Sequence, residues 1–420
     1  MADGRFPYLL SLPPELLTPI FLEAKITIRN LVICRDLLPY TLISLYETVD
    51  LCRKSQILAF HQAVQNPDLA RLVKSIGVSR NKDSVPVYIR SALRRHQSSQ
   101  WRDVLIDILR RLVSLEGFYT FSEGLAAYAF SDFYQPGVAE HLSSVGVHLT
   151  DGDQFTEDEK SLFVSASRLP ALEEIILEGG PCRQLPFDLA PFANTSPSTR
   201  PLPAHSWRLI SLTLNNFDTL GEECRYIFES FTALRELAIR VRQLSPAFAK
   251  HLALLPKTLE FLELDVFDSP RLSSHPAAQA SPKLNTIGAL FPNLQRLYLN
   301  ADVYTPPFFG HLHYAQELEV LRLGHNSPFT IGDLIPLLQP GLSTKLPSLK
   351  TLDLHVCGLG KMKGGRIVPW SMKWPEEYSK KGGKKLVGLC AEQNIELKGA
   401  VKCALGICSC QGGYHYETPC

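Results

Sequence analysis

One six-residue frame, apolar at its first, fourth and sixth positions, recurs seven times in this chain. It begins at Leu172, Leu209, Leu234, Leu259, Leu294, Leu318 and Leu349, and the last copy reads Leu349-Lys350-Thr351-Leu352-Asp353-Leu354. Successive starts are 24 to 37 residues apart, and the shorter spacings hold one strand and one helix. Within each copy the last apolar positions alternate with mostly polar ones, the period of a short strand with one buried face. A unit this small cannot bury its apolar side alone. Stacked units share a continuous core and one extended sheet. The frame therefore predicts an α/β solenoid over 51–400: a curved, mostly parallel sheet with outer helices.

The frame resembles the leucine-rich repeat, in its irregular form with a helix on the outer side. Weaker copies precede the clean ones, at Val73–Val78 and Leu142–Val147. A partial copy starts at Leu112 and lets go at Glu116-Gly117. Trp101, Leu105, Ile108, Leu109 and Leu112 have the spacing of an outer helix. Insertions rich in Pro, Ser and Thr, near 180–207 and 268–283, read as surface loops. Proline after an apolar residue, as in Leu255-Pro256 and Phe291-Pro292, stops the outer helix and steers the chain into the next strand. A third insertion near 358–385 is basic, with Trp370, Trp374 and Tyr378 interleaved; we read it as a solvated loop rather than a nucleic-acid contact, because the rest of the chain is not basic. A last helix around Leu386–Cys390 and a last strand over Asn394–Gly399 close the array, followed by a tail, 401–420, that contains cysteines.

The first fifty residues differ. Ser11-Leu12-Pro13-Pro14-Glu15-Leu16-Leu17-Thr18-Pro19-Ile20-Phe21 offers an N-cap, prolines suited to a first helical turn and an acidic residue near the positive helix end. Leu16, Leu17, Ile20 and Phe21 share one helical face. Further apolar segments follow at Leu31–Leu38 and at Leu42, Leu45, Tyr46 and Val49. On the residues alone, 1–50 is a helical segment that caps the array. Its opening Leu12-Pro13-x-Glu15-Leu16-Leu17-x-x-Ile20-Phe21, and the later Ile33-Cys34-Arg35, resemble the F-box family. Ser44–Leu51 and Asn66-Pro67-Asp68-Leu69-Ala70-Arg71-Leu72-Val73 resemble segments of fungal F-box proteins that carry leucine-rich repeats. The resemblance implies that Leu12, Pro13, Leu16, Leu17, Ile20 and Phe21 dock on the Skp-type adaptor of a cullin-RING (SCF-type) ubiquitin ligase. It also implies that the repeats hold a substrate protein and that the chain does no chemistry. The alternative is a repeat scaffold with no ubiquitin role that binds protein or, through the basic loop, nucleic acid.

The frame also says which residues face a partner. Its third and fifth positions, and the residue after the sixth, point away from the core. They include Glu236, Ala238, Arg240, Phe261, Glu263, Arg296, Tyr298, Arg322, Gly324, Asp353 and His355. Arginines and aromatics anchor protein interfaces more than other residues do. Arg240, Phe261, Arg296, Tyr298, Arg322 and His355 are therefore the candidate substrate-binding residues.

Other chemistries find no footing. The sequence holds no nucleophile elbow, phosphate-binding glycine loop, dinucleotide fingerprint or His-Glu-x-x-His pair. Asp151–Glu159 has Thr156 where a calcium loop needs glycine, and Thr156 with Glu159 makes a capping box instead. His311 and His313 lack a nearby carboxylate or thiol at ligand spacing. Cys403, Cys408, Cys410, His415 and Cys420 miss the paired spacing of structural zinc sites and read as free thiols. The formal net charge of +1 gives no general attraction to nucleic acid or membrane. Met1–Leu10 lacks the pattern of a signal peptide, and no apolar run is long enough for a membrane span. We expect a cytoplasmic or nuclear protein with neither cofactor nor metal.

Overall fold

The computed structural model describes residues 42–78, 98–120, 140–148, 169–179, 209–266, 283–339, 346–354, 361–368 and 380–399, apart from short internal gaps. The chain divides into two compact units, Met1–Leu177 and Glu178–Cys420. Glycines 179 and 180 and the Pro/Ser/Thr-rich insertion follow that division directly in the sequence.

The first unit carries the weaker repeats and the first clean copy, Leu172–Leu177. Its strands are β1 (Thr48–Leu51), β2 (Ser75–Val78), β3 (Gly117–Thr120), β4 (Ser144–His148) and β5 (Glu174–Glu178), which lie side by side in chain order. The first four pair in parallel, with Val49, Ile76, Phe118 and Val145 in one register row. The sheet thus opens at Thr48, and Val49 lies on a strand rather than a helix. Helices α1 (Lys54–Ala63), α2 (Pro67–Leu72) and α3 (Ser98–Arg111) fill the connections. The Asn66-Pro67 step starts α2: the Asn66 side chain accepts the Asp68 N–H at 3.0 Å, and Pro67 sits where no backbone donor is needed. Leu105, Ile108 and Leu109 form the buried stripe of α3, as their spacing predicts.

The partial copy was expected to start at Leu112, and the structure corrects this. Leu112 is buried just past the end of α3, in line with its apolar stripe, and the frame starts at Leu115. Leu115, Phe118 and Thr120 face inward, each at most 1% exposed, and the strand starts at Gly117, where the frame was expected to let go. Phe and Thr in place of the frame's leucines hid this copy.

The second unit carries the other six clean repeats. Its strands are β6 (Ser211–Leu220), β7 (Glu236–Leu244), β8 (Phe261–Val266), β9 (Arg296–Asn300), β10 (Val320–Leu323), β11 (Thr351–Leu354) and, after a separate hairpin β12 (Lys361–Lys363)–β13 (Arg366–Val368), β14 (Glu396–Lys398). The sheet order is β6-β7-β8-β9-β10-β11-β14, parallel throughout. Each clean copy starts its strand at the frame's third residue. Leu212, Leu237, Leu262, Leu297, Leu321, Leu352 and Leu397 form one register row. The first six of them, and their partners at the sixth position, are no more than 1% exposed. Each such leucine contributes about 1.5–3 kcal/mol by leaving water.

The backbone meshes the repeats as regularly as the side chains do. The N–H groups of Glu260 and Phe261 both donate to the Arg235 carbonyl, at 2.7 and 2.9 Å. Gln295 and Arg296 donate to Glu260, Glu319 and Val320 to Gln295, and Lys350 and Thr351 to Glu319, all at 2.8–3.0 Å. The carbonyl of the frame's second residue thus takes two donors from the next repeat.

Short outer helices cover the other side of the core: α4 (Cys224–Ser230), α5 (Phe248–Leu252), α6 (Ile287–Leu290), α7 (Pro307–His311) with a following 3-10 turn at Leu312–Tyr314, α8 (Ile331–Leu338) and α9 (Lys380–Glu392). Phe228 meets Phe248 edge-on with ring centroids 6.0 Å apart, and Tyr304 stacks on Phe308 at 4.4 Å. The basic stretch expected as loop up to residue 385 is corrected here: Lys380, Lys381, Lys384 and Lys385 belong to α9, whose buried Leu386 and Leu389 extend its apolar stripe. After β14 the chain leaves through Gly399 at φ +85°, where a side chain would overlap the Leu354 carbonyl oxygen.

Candidate protein-binding face

The frame's outward positions bring five of the six expected substrate-binding residues onto strands β7 to β10. Register sets their neighbours. One row holds Glu236, Phe261, Arg296, Val320 and Thr351. The next holds Ala238, Glu263, Tyr298, Arg322 and Asp353. Arg240, Asp265 and Asn300 begin a third.

The side chains interlock across these rows. Phe261 and Tyr298 meet edge to face, centroids 5.1 Å apart and planes 81° from parallel. Arg296 lies over the Phe261 ring, its guanidinium carbon 4.7 Å from the centroid, and donates from Nη2 to Glu236 Oε1 at 2.7 Å. Arg322 lies over Tyr298 at 5.5 Å, with Nε 3.5 Å from Asp353 Oδ2. Arg240 donates from Nε to Glu263 Oε1 at 2.9 Å, and Asn300 donates to Asp265 Oδ1 at 2.7 Å. The Glu263 hydrogen bond raises the Arg240 pKa further above its ordinary value, so that guanidinium stays charged at every accessible pH.

These contacts add little to folding. A surface ion pair contributes about 0–1 kcal/mol, and an exposed cation–π contact about 0.5–1 kcal/mol. Their effect is positional: two aromatic rings and three guanidinium groups are held in fixed places. Arginine suits such a place, because its planar fork keeps further donors after one nitrogen is engaged.

Some expected face residues do not reach solvent. Ala238 is buried among longer neighbours, and Gly324 is buried where the Asn300 side chain leaves no room for a Cβ. The frame gives direction but not reach, so a small residue between long ones is covered. His355 lies outside the described residues, as do Leu12, Pro13, Leu16, Leu17, Ile20 and Phe21. One arginine was missed. Arg242 is exposed on β7 because that strand runs on to Leu244, past the frame's end. The alternation Ile239-Arg240-Val241-Arg242, with both aliphatics buried, is the signal that finds it.

His311 and His313 are both partly buried, and the His313 ring packs 3.9 Å from that of half-exposed Tyr314. Among the described residues no group of three or more His, Cys, Asp and Glu could hold a metal ion, and no helix is long and apolar enough to cross a membrane.

No protein-family model matches the chain, and no curated protein matches it. Among solved structures it is similar to the crystal structure of the Rad7 and Elc1 complex in yeast, with a TM-score of 0.31 and 12% sequence identity, over 86% of this chain and 90% of that one.

Proposed function

We propose that this chain is a non-catalytic substrate receptor of an SCF-type ubiquitin ligase. In this reading Leu12, Pro13, Leu16, Leu17, Ile20 and Phe21 engage a Skp-type adaptor, and the face around Arg296, Tyr298 and Arg322 holds the target protein. The supporting observation is the pairing of two features in one chain. A segment that resembles an F-box stands near the N-terminus, and a repeat array downstream carries aromatic and arginine side chains on a solvent-facing sheet. The mechanism needs no bond-making by this chain. Tethering raises the effective concentration of the target beside the ligase.

The test is a pull-down of the full chain with purified Skp-type adaptor, alongside a known F-box protein and the variant Leu16→Asp/Phe21→Asp. Retention of the wild type and loss in the variant is expected. If the known F-box protein is retained and the wild-type chain is not, the ligase role falls and the repeat scaffold with no ubiquitin link takes its place.

A further inference from the structure

We infer that the β7–β10 face recognises a protein segment in which acidic residues alternate with aliphatic or aromatic ones. This rests on the reading that the repeats hold a target protein, and names the chemistry of that target.

The inference starts from an asymmetry of exposure. Arg240, Arg242, Arg296 and Arg322 on this face are balanced by Glu236, Glu263, Asp265 and Asp353, so the formal charge is near zero. The two signs do not reach solvent equally. The Arg240 side chain is 48% exposed while its partner Glu263 is 16% exposed, and Arg322 is 45% exposed over Asp353 at 14%. In these two pairs the cation lies outermost and the anion that orients it lies beneath. A partner arriving from solvent meets guanidinium edges first.

Arg240, Arg296 and Arg322 are each engaged through one nitrogen. Arg240 and Arg322 use Nε, which leaves the terminal pair that matches a carboxylate in a two-pronged contact. Arg296 uses one terminal nitrogen on Glu236, in a pair whose members are both more than two-fifths exposed. Such a pair is weak enough to exchange for a partner's carboxylate. When Arg296 swings toward that carboxylate it uncovers Phe261, which packs against Tyr298. An apolar side chain next to the acidic one then has a ring to cover. The face reads both properties together.

The same facts argue against a nucleic-acid strand. A phosphate backbone brings continuous negative charge, and Glu236 and Asp265 stand in the same rows as the arginines. A segment with spaced carboxylates avoids them.

The experiment selects short random peptides displayed on phage against the full chain, with single-stranded oligouridylate as a second probe in a low-salt binding assay. Selected peptides should be enriched in Asp and Glu next to Leu, Ile, Phe or Tyr. The variant Arg296→Ala/Arg322→Ala should bind them on the order of thirtyfold more weakly. Arg235→Ala, which alters a pair outside the outward rows, should leave binding unchanged. Neutral or basic consensus peptides, no selected peptides, equal binding by the double variant, or tight oligouridylate binding would each overturn the inference. The readout is separate from adaptor retention. A chain that binds acidic peptides but no adaptor loses the ligase role alone, and one that binds adaptor without this preference loses only the present inference.

Discussion

Three consecutive residues on β9 test the repeat reading at its root. Leu297 is fully buried, while Arg296 and Tyr298 on either side of it point outward. Replacing Leu297 with alanine removes three carbons from a site bordered in register by Leu262 and Leu321. At about 0.8 kcal/mol per carbon, the lost transfer energy is about 2.4 kcal/mol. The neighbours are themselves tied into the sheet and collapse only in part, so the cavity brings the total to roughly 3–4 kcal/mol. Tyr298→Ala, one residue along, forfeits a cross-strand aromatic pair and a cation–π contact on the open face, which is about 1 kcal/mol. Urea unfolding followed by circular dichroism measures both. Amide hydrogen exchange locates the loss: protection should fall in β8, β9 and β10 and stay unchanged in β2 and β3, because each repeat leans only on its neighbours. Equal losses for the two variants, or a loss below about 1 kcal/mol for Leu297→Ala, would refute the alternation on which every face assignment depends.

Other outcomes follow from single contacts. Gly399→Ala forces a side chain into a left-handed backbone and against the Leu354 carbonyl; it should weaken the unit by about 1–3 kcal/mol and raise proteolysis near β14, read by mass spectrometry. Gly324→Ala pushes on Asn300 and should loosen its bond to Asp265, seen as faster exchange at the end of β9 with little change in overall unfolding. Asp107 accepts a hydrogen bond from Arg111 at 2.9 Å and lies 2.7 Å from His61 on α1; Arg111 first, then His61, holds its carboxyl below the usual range. A carboxyl depressed in the folded state adds stability above its unfolded value of about 3.9, and that stability is lost as pH falls through the folded value. Between about pH 5 and pH 3 the wild type should therefore lose stability more steeply than Asp107→Asn, by less than about 1 kcal/mol because the group is exposed. Parallel slopes would show that this tie between α1 and α3 contributes nothing.

The sequence revealed what the backbone repeats and hid what side chains do across it. All seven clean strands start at the frame's third residue, because alternation and leucine spacing are local properties that a linear text displays. The copy at Leu115 was illegible because Phe118 and Thr120 fill the core places of leucines, while Leu112 offered a better-looking start that lies just past the end of α3 and continues its apolar stripe. The aromatic and arginine positions of the face were legible by parity alone. Their pairing was not: Arg296 reaches Glu236 across sixty residues of sequence and over an intervening ring, a contact that depends on rotamers and strand order. Arg242 was lost because the frame stops at Ile239 and β7 does not. The lysines at 380–385 read as loop because two glycines interrupt them, yet the apolar stripe that follows carries the helix back through them.

The doubly accepting carbonyls have a bearing on how such a chain can change. In the second unit they belong to Ile210, Arg235, Glu260, Gln295 and Glu319, whose side chains range from aliphatic to cationic to acidic. The joint between neighbouring repeats is made by the main chain, so nearly any residue can occupy it; only proline among the donors would undo it. Outward side chains can accordingly be rewritten one at a time without disturbing how the modules mesh. The outward face is free to drift while the frame that carries it stays put.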